Sequence, residues 1–152
     1  VSTTTPWAVR AALTARISAL TPDSSYRQDA NDAWREAKTP LIPELMPETT
    51  ANLAFFADDR DFRTVATRQN TANYRSDSPV IVRFLYRLRP ADRTNDWDRA
   101  AKAANALLSH LVQYQNEDFD LYFSEATLTR QVLATDVLAV SLRFNVIYYL
   151  SM

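Results

Sequence analysis

A chain of 152 residues with 47% apolar content can build one core without disulfides or metal, and its formal net charge of -1 gives no overall signature of a nucleic-acid or acidic-membrane binder. Cysteine and glycine are both absent. The first absence excludes disulfide frameworks, thiolate zinc sites and cysteine nucleophiles. The second excludes Walker A loops, dinucleotide fingerprints and nucleophile elbows, which need a backbone free of Cβ where the chain turns sharply or meets phosphate.

No run of about 18 apolar residues interrupts the chain, and the opening VSTTTPW has neither the basic nor the apolar region of a secretory signal. The expectation is a soluble product of a cytoplasm. All basic residues except Lys38 and Lys102 are arginine. That skew suits contact surfaces, and high-GC coding produces it equally well.

In chain order, Thr5-Pro6 reads as an N-cap with proline at the first helical position. Val9, Leu13, Ile17 and Leu20 then give an amphipathic helix that ends at Thr21-Pro22. Its polar side carries Arg10, Thr14 and Ser18, so it lies on a sheet or a partner. Residues 23–50 are polar and punctuated by Pro40, Pro43 and Pro47, and form a proline-rich arm or loop. Within them, Ala30, Ala33, Trp34 and Ala37 allow a short helix over about 29–38. Leu41, Ile42, Leu45 and Met46 form an apolar strip that prolines keep out of regular pairing, to pack on its own domain or on a neighbour.

Leu53 to Ala57 and Phe62 to Thr67, separated by the acidic turn Asp58 to Asp61, predict a hairpin. The stretch from Gln69 to Ser78-Pro79 is rich in turn formers. Val80, Val82, Phe84, Tyr86 and Leu88 then alternate with Ile81, Arg83, Leu85, Arg87 and Arg89, a strand with one wholly apolar face. A helix follows over about 95–114, with Asn95 as candidate N-cap, Asp96 and Asp98 in its first turn, and a stripe of Trp97, Ala101, Ala104, Leu108 and Leu111. After an acidic turn at 116–120, extended segments run from Leu121 to Val132 and, past Thr135-Asp136, from Val137 to Leu150. The last alternates cleanly, with Val140, Leu142, Phe144, Val146, Tyr148 and Leu150 on one face. The whole predicts a single α+β domain over 1–152: an antiparallel or mixed sheet with two main helices packed on one face.

Few residues suggest chemistry. His110, the single histidine, falls near a helix end beside the apolar stripe, and no sequence pattern gives it a nucleophile and an orienting carboxylate. The clusters Asp58/Asp59/Asp61 and Glu117/Asp118/Asp120 offer hard oxygen ligands, but neither matches an EF-hand loop, and solvated turns account for both. Arg83, Arg87 and Arg89, with Arg93 beyond, are the densest basic feature. They suit the solvent side of a sheet, carboxylates of an adjoining subunit, or phosphates. Trp7 stands at the start of the first helix, where it belongs to the core or anchors into a neighbour.

The order of WAVRAALTARISAL, SPVIVRFLYRLRP, NDWDRAAKAANALLSHLVQYQ and the closing VLAVSLRFNVIYYLSM resembles the tail terminators of long-tailed bacteriophages. Residues 23–50 are longer and more proline-rich than that family leads one to expect. The resemblance implies a homo-oligomeric ring, sixfold, that caps the tail tube and joins it to the head or neck, with no cofactor, no metal and no catalytic residue. Its partners would be copies of itself, the tube protein and a neck or connector protein, with DNA only passing through the lumen. It implies a place at the tail-neck junction of the virion, after synthesis in the host cytoplasm. Trp7, the strip Leu41, Ile42, Leu45 and Met46, and Arg83, Arg87 and Arg89 are then the candidate contact residues. A head-tail connector, a nucleic-acid-binding module and a carboxylate-based enzyme are the alternatives.

Overall fold

The computed structural model describes residues 3–37, 54–58, 64–65, 73–132 and 136–151. Helix α1 spans Pro6–Ser18 and starts as expected: the Thr5 side chain accepts the Ala8 N–H, and Pro6 takes a position that needs no donor. Val9, Leu13 and Ile17 are its buried stripe, and together they bring α1 down onto the sheet.

Strands β1 (Arg35–Glu36), β2 (Ala54–Asp58), β3 (Thr64–Val65), β4 (Asn73–Arg87), β5 (Phe119–Val132) and β6 (Asp136–Ser151) form one sheet in the order β1-β2-β4-β6-β5, with β3 also on β4. The β1–β2 pair is parallel and the others antiparallel, so the sheet is mixed. Its spine is the long β4–β6 ladder, which runs in unbroken register from Asn73↔Ser151 to Arg87↔Val137. Even-numbered residues of both strands share one face. Val80, Val82, Phe84 and Tyr86 meet Leu138, Val140, Leu142, Phe144 and Val146 there in the main core.

Helix α2 (Arg93–Val112), entered through a 3₁₀ turn at Pro90–Asp92, covers the same face with Ala100, Ala103, Ala104, Leu107 and Leu111. Both helices therefore pack on one face of a mixed sheet, as the sequence predicts. Small alanines let α2 approach the strands closely, and Leu107 and Leu111 fill the space beyond them.

Several local expectations are corrected. Residues 29–37 form no helix: Asp32 accepts the backbone N–H groups of Gln28 and Asp29 in a local turn, and the chain then extends into β1. Trp34 instead goes into the core, edge-on to Phe84 with ring centroids 5.0 Å apart, and β1 follows directly. β2 and β3 do not make a hairpin with each other. Both run antiparallel to β4 along the same side of it, Phe55 opposite Phe84 and Thr64 opposite Ser76. β4 starts at Asn73, inside a stretch read as turn. Ser76 and Ser78 are buried there and bonded to each other at 3.1 Å, so the long ladder overrides their weak strand preference. Pro79 falls where neither described ladder on that side of β4 pairs, a place where its missing N–H is tolerated.

α2 begins two residues before the candidate cap Asn95, which is exposed, and its buried stripe is Asp96, Ala100, Ala103, Ala104, Leu107 and Leu111. The predicted stripe is thus rotated by about one position, and Trp97 stands 40% exposed. The reason is Asp96. Its carboxylate is fully buried and takes the place on the inner face that an apolar residue was expected to hold.

Candidate assembly interface

The face of the sheet opposite the helices carries the odd-numbered residues of β4 and β6. On it Arg83 lies opposite Ser141, Ile81 opposite Arg143, Asp77 opposite Ile147 and Arg75 opposite Tyr149. On β5 the same face continues with Asp120, Tyr122 and Glu125, which sit opposite Ile147, Asn145 and Arg143. Arg75, Asp120, Tyr122, Glu125 and Arg143 are exposed, and Asp77, Ile81, Arg83, Ile147 and Tyr149 are half-buried. The surface is therefore a mixture of guanidinium groups, carboxylates and moderately apolar side chains. It reaches only part of the sheet, because Leu85 and Val137 on the same side are buried at the far end.

Of the three arginines singled out from the sequence, Arg83 and Arg87 belong to this face, and Arg143 and Arg75 join them from the neighbouring strand and the strand's own start. Those two were legible only through the register of β4 on β6. The buried Nε of Arg87 finds no acceptor among the described residues. Arg89 is a correction: it lies past the strand end and is bound inside its own chain. Its backbone N–H and its Nε both donate to Asp96 Oδ2, at 2.8 and 3.0 Å, and Nη2 donates to Oδ1 at 2.9 Å. Arg99 adds a further bond to the same carboxylate at 3.0 Å. Burial by itself would raise the Asp96 carboxyl, but the hydrogen bonds from Arg89 and Arg99 together hold it below its ordinary range. This cluster fastens the β4–α2 junction. Arg93, too, is held within the chain, 3.0 Å from Asp136.

Trp7 is 73% exposed on the first turn of α1 and takes no part in the core. The strip Leu41, Ile42, Leu45 and Met46 lies outside the described residues. So do Asp59 and Asp61, while Glu117, Asp118 and Asp120 rim an open cleft of about 320 Å³ at the β5 start, together with Arg75, Tyr122 and Tyr149. No group of His, Asp or Glu among the described residues is arranged to hold a metal ion. His110 serves the packing of the helices: its Nε2 lies 2.7 Å from the Arg16 carbonyl, and the Arg16 guanidinium donates back to the His110 carbonyl at 2.8 and 3.1 Å. The two helix C-termini are thus tied reciprocally, with Arg16 also stacked over Tyr114.

A second surface is the outer edge of β5, a 14-residue strand that among the described residues pairs with β6 alone. Beyond Phe119 and Leu121 every described side chain on it is exposed, including Tyr122, Phe123, Leu128 and Val132. A bulge between Phe123 and Glu125 interrupts its register. The sequence predicts an extended segment from Leu121 to Val132 without a place in the sheet. Its place at the sheet edge follows from the strand order, which local pattern does not encode. Among the described residues no helix is long and apolar enough to cross a membrane. Comparison of the chain with protein-family models and with curated proteins gave no match in either case.

Proposed function

We propose that this protein is a structural subunit that assembles with copies of itself into a ring, and that the ring is a bacteriophage tail terminator, seated on the tail tube and joining it to the head or neck. The observation that carries the reading is the sheet face without helices, where Arg75, Arg83 and Arg143 alternate with Asp77, Asp120 and Glu125 among Ile81, Ile147, Tyr122 and Tyr149. Arginine and aromatic groups of the kind gathered on this face are enriched in contact surfaces. Arginine–carboxylate pairs across it would fix the register of one copy on the next.

The order of helix, strand, helix and closing strand pair supports the choice of terminator among assembly proteins. In this reading Trp7 anchors α1 to a neighbouring subunit or to the tube, and DNA touches the ring only in passing through its lumen. The chemistry is association, and no cofactor takes part.

Electron microscopy of the purified protein, with light scattering, tests the reading. The expected result is a closed ring, or a ring on the end of tail tubes when tube protein is added. A monomer under both conditions counts against it, and binding to a portal or adaptor in place of the tube assigns the chain to the neck instead.

A further inference from the structure

We infer that the outer edge of β5, which no other described strand pairs, is a self-association site, in which β5 of one copy pairs antiparallel with β5 of a second copy across a two-fold axis at Leu128. The outer backbone groups of an edge strand are a template for another strand, and natural sheets guard such edges with proline, lysine or very short length. β5 is 14 residues long and contains neither proline nor lysine, and its bulge at Phe123/Glu125 and its charges Asp120, Glu125 and Arg130 lie outside the run 126–129. The run Ala126-Thr127-Leu128-Thr129 is uncharged and exposed throughout. Leu128 at 39% and Val132 at 63% exposure leave apolar surface in water on the side that the helices cover elsewhere.

The register with β6 fixes which residues share a face. Ala126, Leu128 and Arg130 lie opposite Leu142, Val140 and Leu138 and so project to the helix side, while Glu125, Thr127 and Thr129 project to the other. Opposed residues in a ladder must lie on the same face, so a two-fold axis passes through a residue and not between two. An axis at Arg130 would oppose two guanidinium groups. One at Thr129 would set the two Arg130 side chains diagonally, about 7–8 Å apart. One at Ala126 or Thr127 would run the pairing into the bulge.

An axis at Leu128 avoids all of these. It places leucine on leucine, Ala126 beside the stem of Arg130, and Thr127 opposite Thr129 twice, a favourable cross-strand pair. Arg130 is held within its own chain, its Nε and Nη2 donating to Asp136 at 3.1 and 2.9 Å. Asp136 also binds Arg93, so the cluster stays positive, and the Leu128 axis sets each Arg130 opposite Ala126 and away from its own copy. A two-fold contact closes on itself and cannot generate a ring, so this inference does not rest on the terminator reading and leaves the arginine face free for other contacts.

The absence of cysteine makes the test clean. Single variants Leu128→Cys, Thr127→Cys, Thr129→Cys and, as a remote exposed control on α2, Asn105→Cys are oxidised with copper phenanthroline and run on non-reducing gels. Reduced samples are first shown to melt like the parent. The expected result is a covalent dimer from Leu128→Cys alone, and from Thr127→Cys mixed with Thr129→Cys, at rates on the order of tenfold above the control, because only those pairs bring Cβ atoms within bonding reach. In the unmodified background, Leu128→Lys should weaken self-association on the order of tenfold by opposing like charges at the axis. Cross-linking at Leu128 no faster than at Asn105, or dominant self-linking of Thr127→Cys or Thr129→Cys, overturns the inference. The ring is read separately by microscopy, so failure of one leaves the other standing.

Discussion

Asp96 is the residue on which most of the local architecture between β4 and α2 depends. A carboxylate with no exposed surface is tolerated only because Arg89 and Arg99 neutralise it and a backbone N–H completes its bonding. Its folded-state carboxyl lies below the ordinary 3.8, so the unfolded chain binds the proton more readily. The contribution is therefore fully present above that value and is lost as pH falls through the lower folded value. Asp96→Asn should lower stability at neutral pH by about 2 kcal/mol, the scale of hydrogen bonds to a charged group. The difference from the parent should shrink in strong acid, where both side chains are neutral. Urea midpoints of the two proteins at pH near neutral and well below 3.8 check this, and a difference constant with pH would show that the charge is not what matters. The sequence places Asp96 as an acid in the first turn of the helix. Nothing local distinguishes a solvated role from a buried one, because the distinction is made by Arg89 folding back across the turn.

At the scale of elements, alternation in the strands was a better guide than periodicity in the helices. Val80 to Leu88 and Val140 to Tyr148 bury the face their period of two assigns, since a one-residue slip would invert the whole strand. In α2 the choice between neighbouring stripes rests on a rotation of one position, and alanines at 100, 101, 103 and 104 leave several rotations nearly equivalent by sequence. Mutation separates them. Leu107 is fully buried among α1 and the sheet, and Leu107→Ala should cost about 3 kcal/mol through lost transfer energy and the cavity left behind. Trp97→Ala, at a position the sequence pattern favours for the core, should cost less than Leu107→Ala, because the ring is 40% in water and its removal leaves no closed cavity. Thermal or urea denaturation of both variants gives the order, and the reverse order would restore the predicted stripe. The pairing of β2 and β3 with β4 was not legible for a different reason: two short apolar runs with a turn between them look like a hairpin whether they pair with each other or with a third strand.

For the whole molecule, the two described helices cover one face of the sheet and build the core there, and the proposed contact surface lies on the other face. Arg75 and Arg143 are exposed on that other face, and no described ion pair ties either of them into its own chain. Reversing both charges in Arg75→Glu with Arg143→Glu should change folding stability by less than about 1 kcal/mol, as for surface substitutions away from the core. The same pair should abolish or strongly weaken assembly through this face, since Glu at both positions beside Asp120 and Glu125 turns a surface of balanced sign into a negative one that repels a like copy. Raising salt should partly restore association of the variant by screening that repulsion, over a Debye length of about 8 Å near physiological ionic strength. Circular-dichroism melts together with light scattering or microscopy at low and high salt measure both halves. Rings that form as readily from the variant as from the parent would remove this face from the ring contact and leave Trp7 as the described surface that carries it, since a two-fold pairing of β5 cannot close a ring.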